Sequence, residues 1–257
     1  MRYKDKVVLI SGAASGFGRL AAERFAAEGA KLSLSDLDEA GLAETVTSLG
    51  DADVLSLTIN VAEEADQKRH VDETLARFGA VDVALNNAGI FTDMKRIPET
   101  TADEFDRMMA VNGRGVFLAL KYQLPVMAEA GGGAILNTAS VAGLIGSGYC
   151  AAYAASKHAV VGLTRAAADE YSRYGVRVNT ICPAFAKTPM LFEFSDNMAA
   201  KRGETRQDSY DRLTGRIPMN RVGEAEEVVA AMLLICDPSN TFMTGQAIAV
   251  DGGLSAI

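Results

Sequence analysis

The sequence is short of the residues that metal sites and disulfide frameworks need. Its 257 residues include two histidines, His70 and His158, and three cysteines, Cys150, Cys182 and Cys236. The cysteines are odd in number and lack metal-ligand spacing, which favours reduced thiols that pack in the interior over a catalytic or disulfide role. Neither histidine has a nearby cysteine or carboxylate cluster in the sequence that resembles a metal site. We therefore expect no metal site.

Positive charge and long apolar runs are also scarce. Lys and Arg number 25 against 33 Asp and Glu, so the formal net charge is -8. That excess repels phosphate backbones and anionic lipid, which argues against nucleic-acid and membrane partners. No run approaches 18 apolar residues, and the start, MRYKDKVVLISG, has no apolar stretch long enough for a signal peptide. These absences predict a cytoplasmic protein.

The chain has no Pro/Gly/Ser-rich linker, and short β-rich runs alternate with helical stretches along its length. The predicted strands are KVVLIS, AKLSLSD, DVLSLTIN, VDVALNN, GAILNTAS, VRVNTICP and QAIAVDGG. Helices are predicted over 17–29, 39–49, 62–78, 102–130, 151–174 and 224–236. This alternation predicts an α/β fold, a doubly wound parallel sheet of seven strands with helices on both faces, in a single domain over residues 1–257.

Residues 184–220 interrupt the alternation. No strand follows there, and the stretch mixes the apolar MLFEF with the charged KRGETRQDSYDR. Connections of this length in compact α/β domains are usually lids or binding loops. We expect a substrate-binding lid at about 184–220, with a flexible insertion as the alternative.

A glycine cluster, SGAASGFG, follows the first strand and opens a helix. Glycine lets backbone approach backbone, and the helix N-terminus offers free N–H groups to a pyrophosphate. Asp36 follows about 20 residues later at the end of the second strand, where a carboxylate can bind both ribose hydroxyls and repel a 2′-phosphate. No basic residue stands at Ala14, Ser15 or Leu37. The pattern favours NAD over NADP, although Asp36 could instead be a helix N-cap.

The stretch YAASK sets Tyr153 four residues ahead of Lys157. On a helix, residues four apart share a face, so the lysine charge can lie beside the phenol ring. Lowering a phenol pKa from about 10 to about 7 needs about 4 kcal/mol. One charge at ~4 Å in an effective dielectric of about 20 supplies that much. The spacing alone is also compatible with an ordinary surface pair.

Four features occur in a fixed order: SGAASGFG at 11–18, NNAG at 86–89, Ser140 at the end of a strand, and Tyr153 with Lys157 on the next long helix. Together they resemble the short-chain dehydrogenase/reductase family over essentially the whole chain. The resemblance implies a Rossmann-like fold with strand order 3-2-1-4-5-6-7 and one active site at the carboxyl edge of the sheet.

The resemblance also implies roles for individual residues. Tyr153 matches the catalytic acid/base, Lys157 the residue that lowers its pKa and holds the nicotinamide ribose, and Ser140 the donor that orients the substrate oxygen. Asn112 matches an asparagine that interrupts a helix and holds a water in the proton relay. Besides Tyr153 and Lys157, the positions that match cofactor contacts are Gly12, Ser15, Gly16, Phe17, Asp36, Asn60, Val61, Asn87, Ala88, Gly89, Pro183, Ala186 and Thr188.

Three positions depart from the family pattern. Ser11 stands where threonine is usual, which keeps a hydroxyl, and Asn60 replaces a frequent aspartate near the adenine. Ala184, in CPA, replaces the glycine of a common Pro-Gly pair and adds a methyl to the pocket floor.

The implied reaction is reversible hydride transfer between NAD and a secondary alcohol or ketone. Ser140, Tyr149, Phe185 and Met190 are the expected substrate contacts, and Lys157 is the one basic residue expected close to Ser140 and Tyr153. Such a pocket favours a neutral, hydrophobic substrate. The stretches KYQLPVM, KHAVVGLTR and DGGLSAI resemble bacterial dehydrogenases of cyclic and aromatic secondary alcohols. The alternatives are an NADPH-dependent 3-oxoacyl reductase, a sugar or hydroxy-acid reductase, and a non-catalytic NAD-binding protein.

The helix after Tyr153, AASKHAVVGLTRAAADEY, carries small and apolar residues on more than one face. A helix that is apolar beyond one stripe needs a second burial partner. In this family the partner is usually another subunit, which implies a homotetramer of twofold symmetry. A well-covered monomer is the alternative.

Overall fold

The computed structural model describes residues 1–91 and 93–256. Seven parallel strands form one sheet in the order β3-β2-β1-β4-β5-β6-β7. The strands are β1 (Val7–Ser11), β2 (Lys31–Asp36), β3 (Val54–Thr58), β4 (Val83–Asn86), β5 (Gly133–Thr138), β6 (Val176–Pro183) and β7 (Ala247–Val250). Both the strand number and the order implied by the resemblance are confirmed.

The described parts of the chain form nine α-helices. They are α1 (Gly16–Ala27), α2 (Glu39–Ser48), α3 (Glu64–Phe78), α4 (Ala102–Met108), α5 (Gly115–Glu129), α6 (Ala151–Tyr171), α7 (Pro189–Arg202), α8 (Arg206–Thr214) and α9 (Ala225–Cys236). None of the helices described is long and apolar enough to cross a membrane.

Both faces of the sheet are covered by helices. On one face, Phe25 of α1 and Val229 of α9 pack with Leu34 of β2 in one buried cluster. On the other, Val71 of α3 and Val160 of α6 belong to a second cluster, which also contains residues from α5 and from alternate positions of the strands. Because both faces are buried, the central strands β1 and β4 are apolar without alternation.

The position of β1 fixes where a ligand can bind. This strand pairs with β2 on one side and with β4 on the other, so the winding of the sheet reverses there. In open parallel sheets, ligands bind at the carboxyl ends of the strands on either side of such a reversal. The loops after β1, β2, β4, β5 and β6 all reach this edge.

Two predicted segments differ from the structure. The helix predicted over 102–130 is divided by a π-helical turn, Met109–Arg114, between α4 and α5. The irregular segment predicted at 184–220 contains the two helices α7 and α8. Thr188 and Thr205 cap these helices by accepting hydrogen bonds from backbone N–H groups three residues later.

Candidate active site

The turn after β1 is packed too closely for side chains at two of its glycines. Gly12 has a φ of +71°, and a Cβ there would lie 2.8 Å from the Cα of Ala88. A Cβ on Gly18 would lie 1.9 Å from the carbonyl oxygen of Gly12. The turn, the start of α1 and the loop after β4 therefore meet backbone to backbone.

The NNAG loop is tied to this turn by side-chain hydrogen bonds. The hydroxyl of Ser11 accepts from the N–H groups of Asn87, at 3.2 Å, and Ala88, at 3.3 Å. Asn87 Nδ2 donates to the Gly12 carbonyl at 3.2 Å. Ser11, which replaces the usual threonine, therefore keeps a hydroxyl that accepts hydrogen bonds, as expected.

Asp36 lies at the mouth of the same crevice. Its Oδ2 accepts from the N–H of Ala14 at 2.9 Å, and its Oδ1 accepts from the N–H of Asp38 at 3.0 Å. The alternative that Asp36 caps α2 is wrong, because Asp38 is the N-cap and accepts from Gly41 N–H. The carboxylate is held by backbone donors and is half-buried.

Asn60 and Val61 follow β3 at the next position along the edge. Asn60 Oδ1 accepts from the N–H of Ala62 at 3.1 Å, so this side chain orders its own loop. A Cβ on Gly115 would lie 3.1 Å from the Val61 carbonyl, which places the loop against the start of α5.

These features fit a dinucleotide. Ser15 caps α1 without a side-chain hydrogen bond, which leaves the first helical N–H groups for an anion. Gly16 has a φ of +53°, and a Cβ there would lie 3.8 Å from Thr188 Cβ, so the turn lies next to the start of α7. At the other end, a Cβ on Gly89 would lie 3.4 Å from Lys157 Nζ. The crevice therefore runs from Asp36 to the predicted catalytic lysine.

The predicted catalytic residues come together beyond Gly89. Ser140 follows β5 and caps a short 3₁₀ helix, with its hydroxyl accepting from Ala142 N–H at 3.2 Å. Tyr153 lies in the first turn of α6, and Lys157 one turn later with its Nζ 5.6 Å from the phenol ring centroid. Lys157 is 4% exposed and donates to the Thr138 carbonyl at 2.8 Å.

Burial shifts the pKa values of both residues. It raises the pKa of Tyr153 to about 12, against which a hydrogen bond with the Ser140 side chain acts. It lowers the pKa of Lys157 to about 8. Each shift disfavours the charged form. Strongly perturbed groups that share a crevice are typical of a catalytic site.

Asn112 lies inside the π-helical turn and joins two sides of the site. Its Oδ1 accepts from the N–H of Ile90 at 2.8 Å, and its Nδ2 donates to the Ile90 carbonyl at 2.9 Å. Nδ2 also lies 3.1 Å from Ser156 Oγ on α6. The side chain thus orders the loop after NNAG. π-Turns of this kind are frequent at functional sites.

An aromatic cluster lies beside Tyr153. Phe91 packs edge-to-face on Tyr153 and on Phe194, with ring centroids 5.2 Å apart in each pair. Phe185 stacks on Phe194 at 6.0 Å. Phe185 was predicted to contact substrate, but Phe91 was missed. Its place two residues after NNAG, on a loop at the carboxyl edge, was the available signal.

The other predicted substrate contacts lie at the rim. Tyr149 is 52% exposed and lines a small open pocket together with Tyr153 and Phe91. Met190 is 42% exposed at the start of α7. Lys95 lines the same pocket as Tyr153, which the sequence did not predict.

The charge of Lys95 has a local partner. Lys95 forms an ion pair with Glu104 on α4, which raises the pKa of the lysine and lowers that of the carboxylate. The loop that carries Lys95 bends around Tyr149, because the N–H of Lys95 donates to the Tyr149 carbonyl at 2.9 Å. Lys95 therefore contributes an ion-paired charge to this pocket and not a free cation.

The segment after β6 closes the far side of the crevice. Ala184 N–H donates to the Val250 carbonyl at 3.1 Å, and Ala186 bridges Gly223. Thr188 ends the segment as the N-cap of α7. Ala184 lines a second pocket together with Phe185, Met219 and Val250.

The structure also locates the three cysteines and the side chains that could bind a metal. Cys150, Cys182 and Cys236 are free thiols, and the latter two are buried. Among residues 1–91 and 93–256, no group of three or more His, Cys, Asp or Glu side chains could hold a metal ion.

Comparisons with known proteins match nearly the whole chain. A family model described as enoyl-(acyl carrier protein) reductase matches residues 12–255. Levodione reductase of Leifsonia aquatica is 41% identical over 99% of this chain and 96% of its own length. Cyclohexanol dehydrogenase of Acinetobacter sp. (strain SE19) is 35% identical over 99% of this chain and 97% of its own length.

Solved structures give the same result. The crystal structure of levodione reductase matches with a TM-score of 0.94, covering 99% of both chains at 41% identity. A 3-ketoacyl-(acyl-carrier-protein) reductase from Brucella melitensis, complexed with NADH, matches with a TM-score of 0.89 at 34% identity, covering 98% of this chain and 99% of that one. An actinorhodin polyketide ketoreductase with NADPH matches with a TM-score of 0.94 at 31% identity, covering 99% and 100%. The chain belongs to the short-chain dehydrogenase/reductase family of oxidoreductases, which bind a nicotinamide cofactor and act on CH–OH groups.

Proposed function

We propose that the protein oxidises a hydrophobic secondary alcohol, or reduces the matching ketone, with Tyr153 as the acid/base. The observation that carries this proposal is the convergence of Ser140, Tyr153 and Lys157 at the end of the crevice, under the aromatic ring of Phe91. A dinucleotide in the crevice would be held by the fifteen positions that match the family's cofactor contacts. When bound, its nicotinamide supplies the hydride acceptor or donor.

Four side chains of the protein have separate roles in the proposed reaction. The hydroxyl of Ser140 orients the substrate oxygen, and Tyr153 takes the hydroxyl proton in the oxidation direction. The Tyr153 pKa of about 12 in the protein has to fall for the phenolate to form, and the buried charge of Lys157 favours that fall. Asn112 orders the loop beside the lysine, in a position to hold a relay water.

We propose NAD as the preferred cofactor. Asp36 is fixed at the crevice mouth by two backbone N–H groups, so its carboxylate can accept from ribose hydroxyls and repels a 2′-phosphate. The alternative is NADPH-dependent 3-oxoacyl reduction. Initial rates with NAD and NADP at equal concentration test this point, and a preference for NADP would overturn the Asp36 argument.

The substrate class rests on the aromatic cluster of Phe91, Phe185 and Phe194. An apolar wall with one oriented hydroxyl suits a neutral ring, and cyclohexanol is the substrate in the name of one relative. A sugar or hydroxy acid is the second candidate, because Lys95 lines the same pocket as Tyr153, although Glu104 neutralises it.

A panel of secondary alcohols assayed with NAD tests the substrate proposal. We expect cyclohexanol- and arylethanol-type compounds to have the highest kcat/KM. Faster turnover of a sugar or a hydroxy acid than of every cyclic alcohol would contradict it. A non-catalytic NAD-binding role is the remaining alternative from another class, and it predicts NADH binding without turnover of any compound in the panel.

We further propose that residues 1–257 act as one domain, with α7 and α8 as the substrate lid, in a cytoplasmic homotetramer without nucleic-acid or membrane partners. The continuous sheet and the net charge of -8 support these points. The exposed small residues of α6 support the assembly.

A further inference from the structure

The phosphate-binding turn is anchored on its outer side by contacts that the proposed reaction does not use. In the peptide group between Ala13 and Ala14, the Ala13 carbonyl accepts from Thr45 Oγ1 at 2.9 Å. The N–H of Ala14 donates to Asp36 at 2.9 Å. Thr45 lies on α2 and is fully buried. This peptide group is therefore held at both ends.

The next peptide group, between Ala14 and Ser15, is held at one end by an arginine. Arg19 Nη2 donates to the Ala14 carbonyl at 2.6 Å, and Arg19 Nε donates to the same oxygen at 3.0 Å. The guanidinium is itself fixed by the Gly41 carbonyl at 3.1 Å and by Thr45 Oγ1 at 3.0 Å. Arg19 thus joins the first turn of α1, the phosphate turn and α2.

Fixing the Ala14 carbonyl also fixes the N–H of Ser15. A trans peptide is planar, and its C=O and N–H point in opposite directions. With the carbonyl directed at Arg19 and α2, the Ser15 N–H is directed to the other side. It has no hydrogen-bond partner within the described chain, and Ser15 is exposed at the N-cap of α1.

We propose that Arg19 is a positioning residue for dinucleotide binding, which holds the Ala14–Ser15 peptide so that an N–H group faces the cofactor diphosphate. Without the arginine, this peptide can rotate next to Gly16 and present its carbonyl oxygen to the anion. A donor would then be replaced by a repelling dipole. The inference rests on the family's use of a nicotinamide dinucleotide and holds for NAD or NADP alike.

Direct attraction between Arg19 and the cofactor is a weaker explanation. The guanidinium is occupied by two carbonyls and a hydroxyl, and its charge is paired with Glu44 at 3.0 Å. Glu44 is 71% exposed, so this ion pair contributes little to stability. Glu44→Gln therefore removes charge pairing while keeping the contacts to Ala14, and it serves as the matched control.

The test is titration of the purified enzyme with reduced dinucleotide, followed by nicotinamide fluorescence, in Arg19→Met, Arg19→Lys and Glu44→Gln. We expect Arg19→Met to raise the Kd by about 10- to 100-fold, the effect of losing a charge-assisted hydrogen bond. Arg19→Lys keeps one donor and should recover part of the affinity. Glu44→Gln should change the Kd less than about twofold, as an exposed ion pair predicts.

Two further measurements separate positioning from a structural role. At saturating cofactor, kcat of Arg19→Met should stay close to wild type, because Ser140, Tyr153 and Lys157 lie at the other end of the crevice. The melting temperature without cofactor reports any loss of stability. A wild-type Kd in Arg19→Met, or a Kd raised equally by Glu44→Gln, would overturn the proposal. Because binding is measured directly, a wrong substrate proposal leaves this test unaffected.

Discussion

The phenol of Tyr153 lies among Ser140, Phe91 and Lys157, and its burial keeps it protonated in the protein alone. Tyr153→Phe removes the transferable proton and little volume. We expect kcat to fall by a factor of about 10²–10⁴, the usual worth of a general acid/base, while the Kd for NADH stays nearly unchanged. Tyr174→Phe, at a tyrosine that is 50% exposed beyond α6, is the matched control. Retained turnover in Tyr153→Phe would remove this residue from the mechanism.

Asp36 permits a test of cofactor choice. Asp36→Asn keeps the shape of the side chain and one acceptor for the backbone donors, but removes the charge that repels a 2′-phosphate. We expect the ratio of kcat/KM for NAD to that for NADP to fall by about tenfold or more, because an ionised acceptor binds more strongly than a neutral one. Asp38→Asn changes the same chemistry two residues away, at the N-cap of α2, and should leave the ratio unchanged.

Phe91 permits a test of the substrate wall. Its ring joins Tyr153 to Phe194 on α7, so Phe91→Leu removes both edge-to-face contacts and leaves an apolar side chain. We expect kcat/KM for cyclohexanol to fall about 10-fold or more relative to that for 2-hexanol, with KM for NAD unchanged. Phe242→Leu, at a fully exposed position in the loop before β7, is the control. An unchanged ratio would show that the ring does not select cyclic substrates.

At the scale of elements, hydrophobic pattern predicted the strands well and the lid poorly. The five inner strands, β1, β2, β4, β5 and β6, are buried against helices, so their runs of apolar residues are long enough to recognise, and the partly exposed edge strands β3 and β7 keep enough β-branched and apolar residues to be read in the same way. In α7 and α8, the buried side chains of Leu191, Met198 and Leu213 form a small cluster with Val222, whereas the apolar side chains of Met190 and Phe192 are exposed. No regular apolar stripe therefore marks these helices in the sequence. The capping residue Thr188, followed by proline, was the readable signal of a helix start.

In the candidate site, too, some residues could be predicted from the sequence and others could not. Residues at the carboxyl ends of strands had to meet at one edge, so the crevice and the Ser140–Tyr153–Lys157 group could be predicted together with the resemblance. Phe91 and Lys95 could not, because the path of the loop after β4 determines which side chains reach Tyr153. That path depends on long-range contacts, such as the hydrogen bond between Lys95 N–H and the Tyr149 carbonyl.

The contact between α3 and the sheet contains a buried histidine with a predictable pH dependence. His70 is 1% exposed, and burial lowers its pKa from 6.5 to about 4. Between these values the unfolded chain binds the proton and the folded protein does not. The folded state therefore loses stability as the pH falls from about 6.5 to about 4, by about 3 kcal/mol in all.

Urea unfolding at fixed protein concentration checks this linkage. For the wild type, the free energy of unfolding should fall by about 2 kcal/mol from this group between pH 7 and pH 5. His70→Asn retains a donor near the Ser33 backbone but does not titrate there. The variant should be less stable at both pH values and should lack this part of the decrease. An equal decrease in both proteins would assign the acid sensitivity to other groups.

At the scale of the molecule, the proposed tetramer can be tested on the surface of α6. Ala155, Gly162 and Ala166 recur along one exposed side of this helix, and Phe117 is 50% exposed on the neighbouring α5. Small residues allow two helices to approach closely, and burying Phe117 in an interface removes apolar surface from water. We expect light scattering at micromolar concentration to give about four times the chain mass of 27.1 kDa.

Ala166→Glu places a charge in the middle of the exposed side of α6 and should shift the mass to that of a dimer or a monomer, because an unpaired charge is costly to bury. Ala43→Glu, the same change at an exposed position on α2, should leave the tetramer intact. A wild-type mass near that of one chain would contradict the assembly, and a tetramer that persists in Ala166→Glu would place its interface elsewhere.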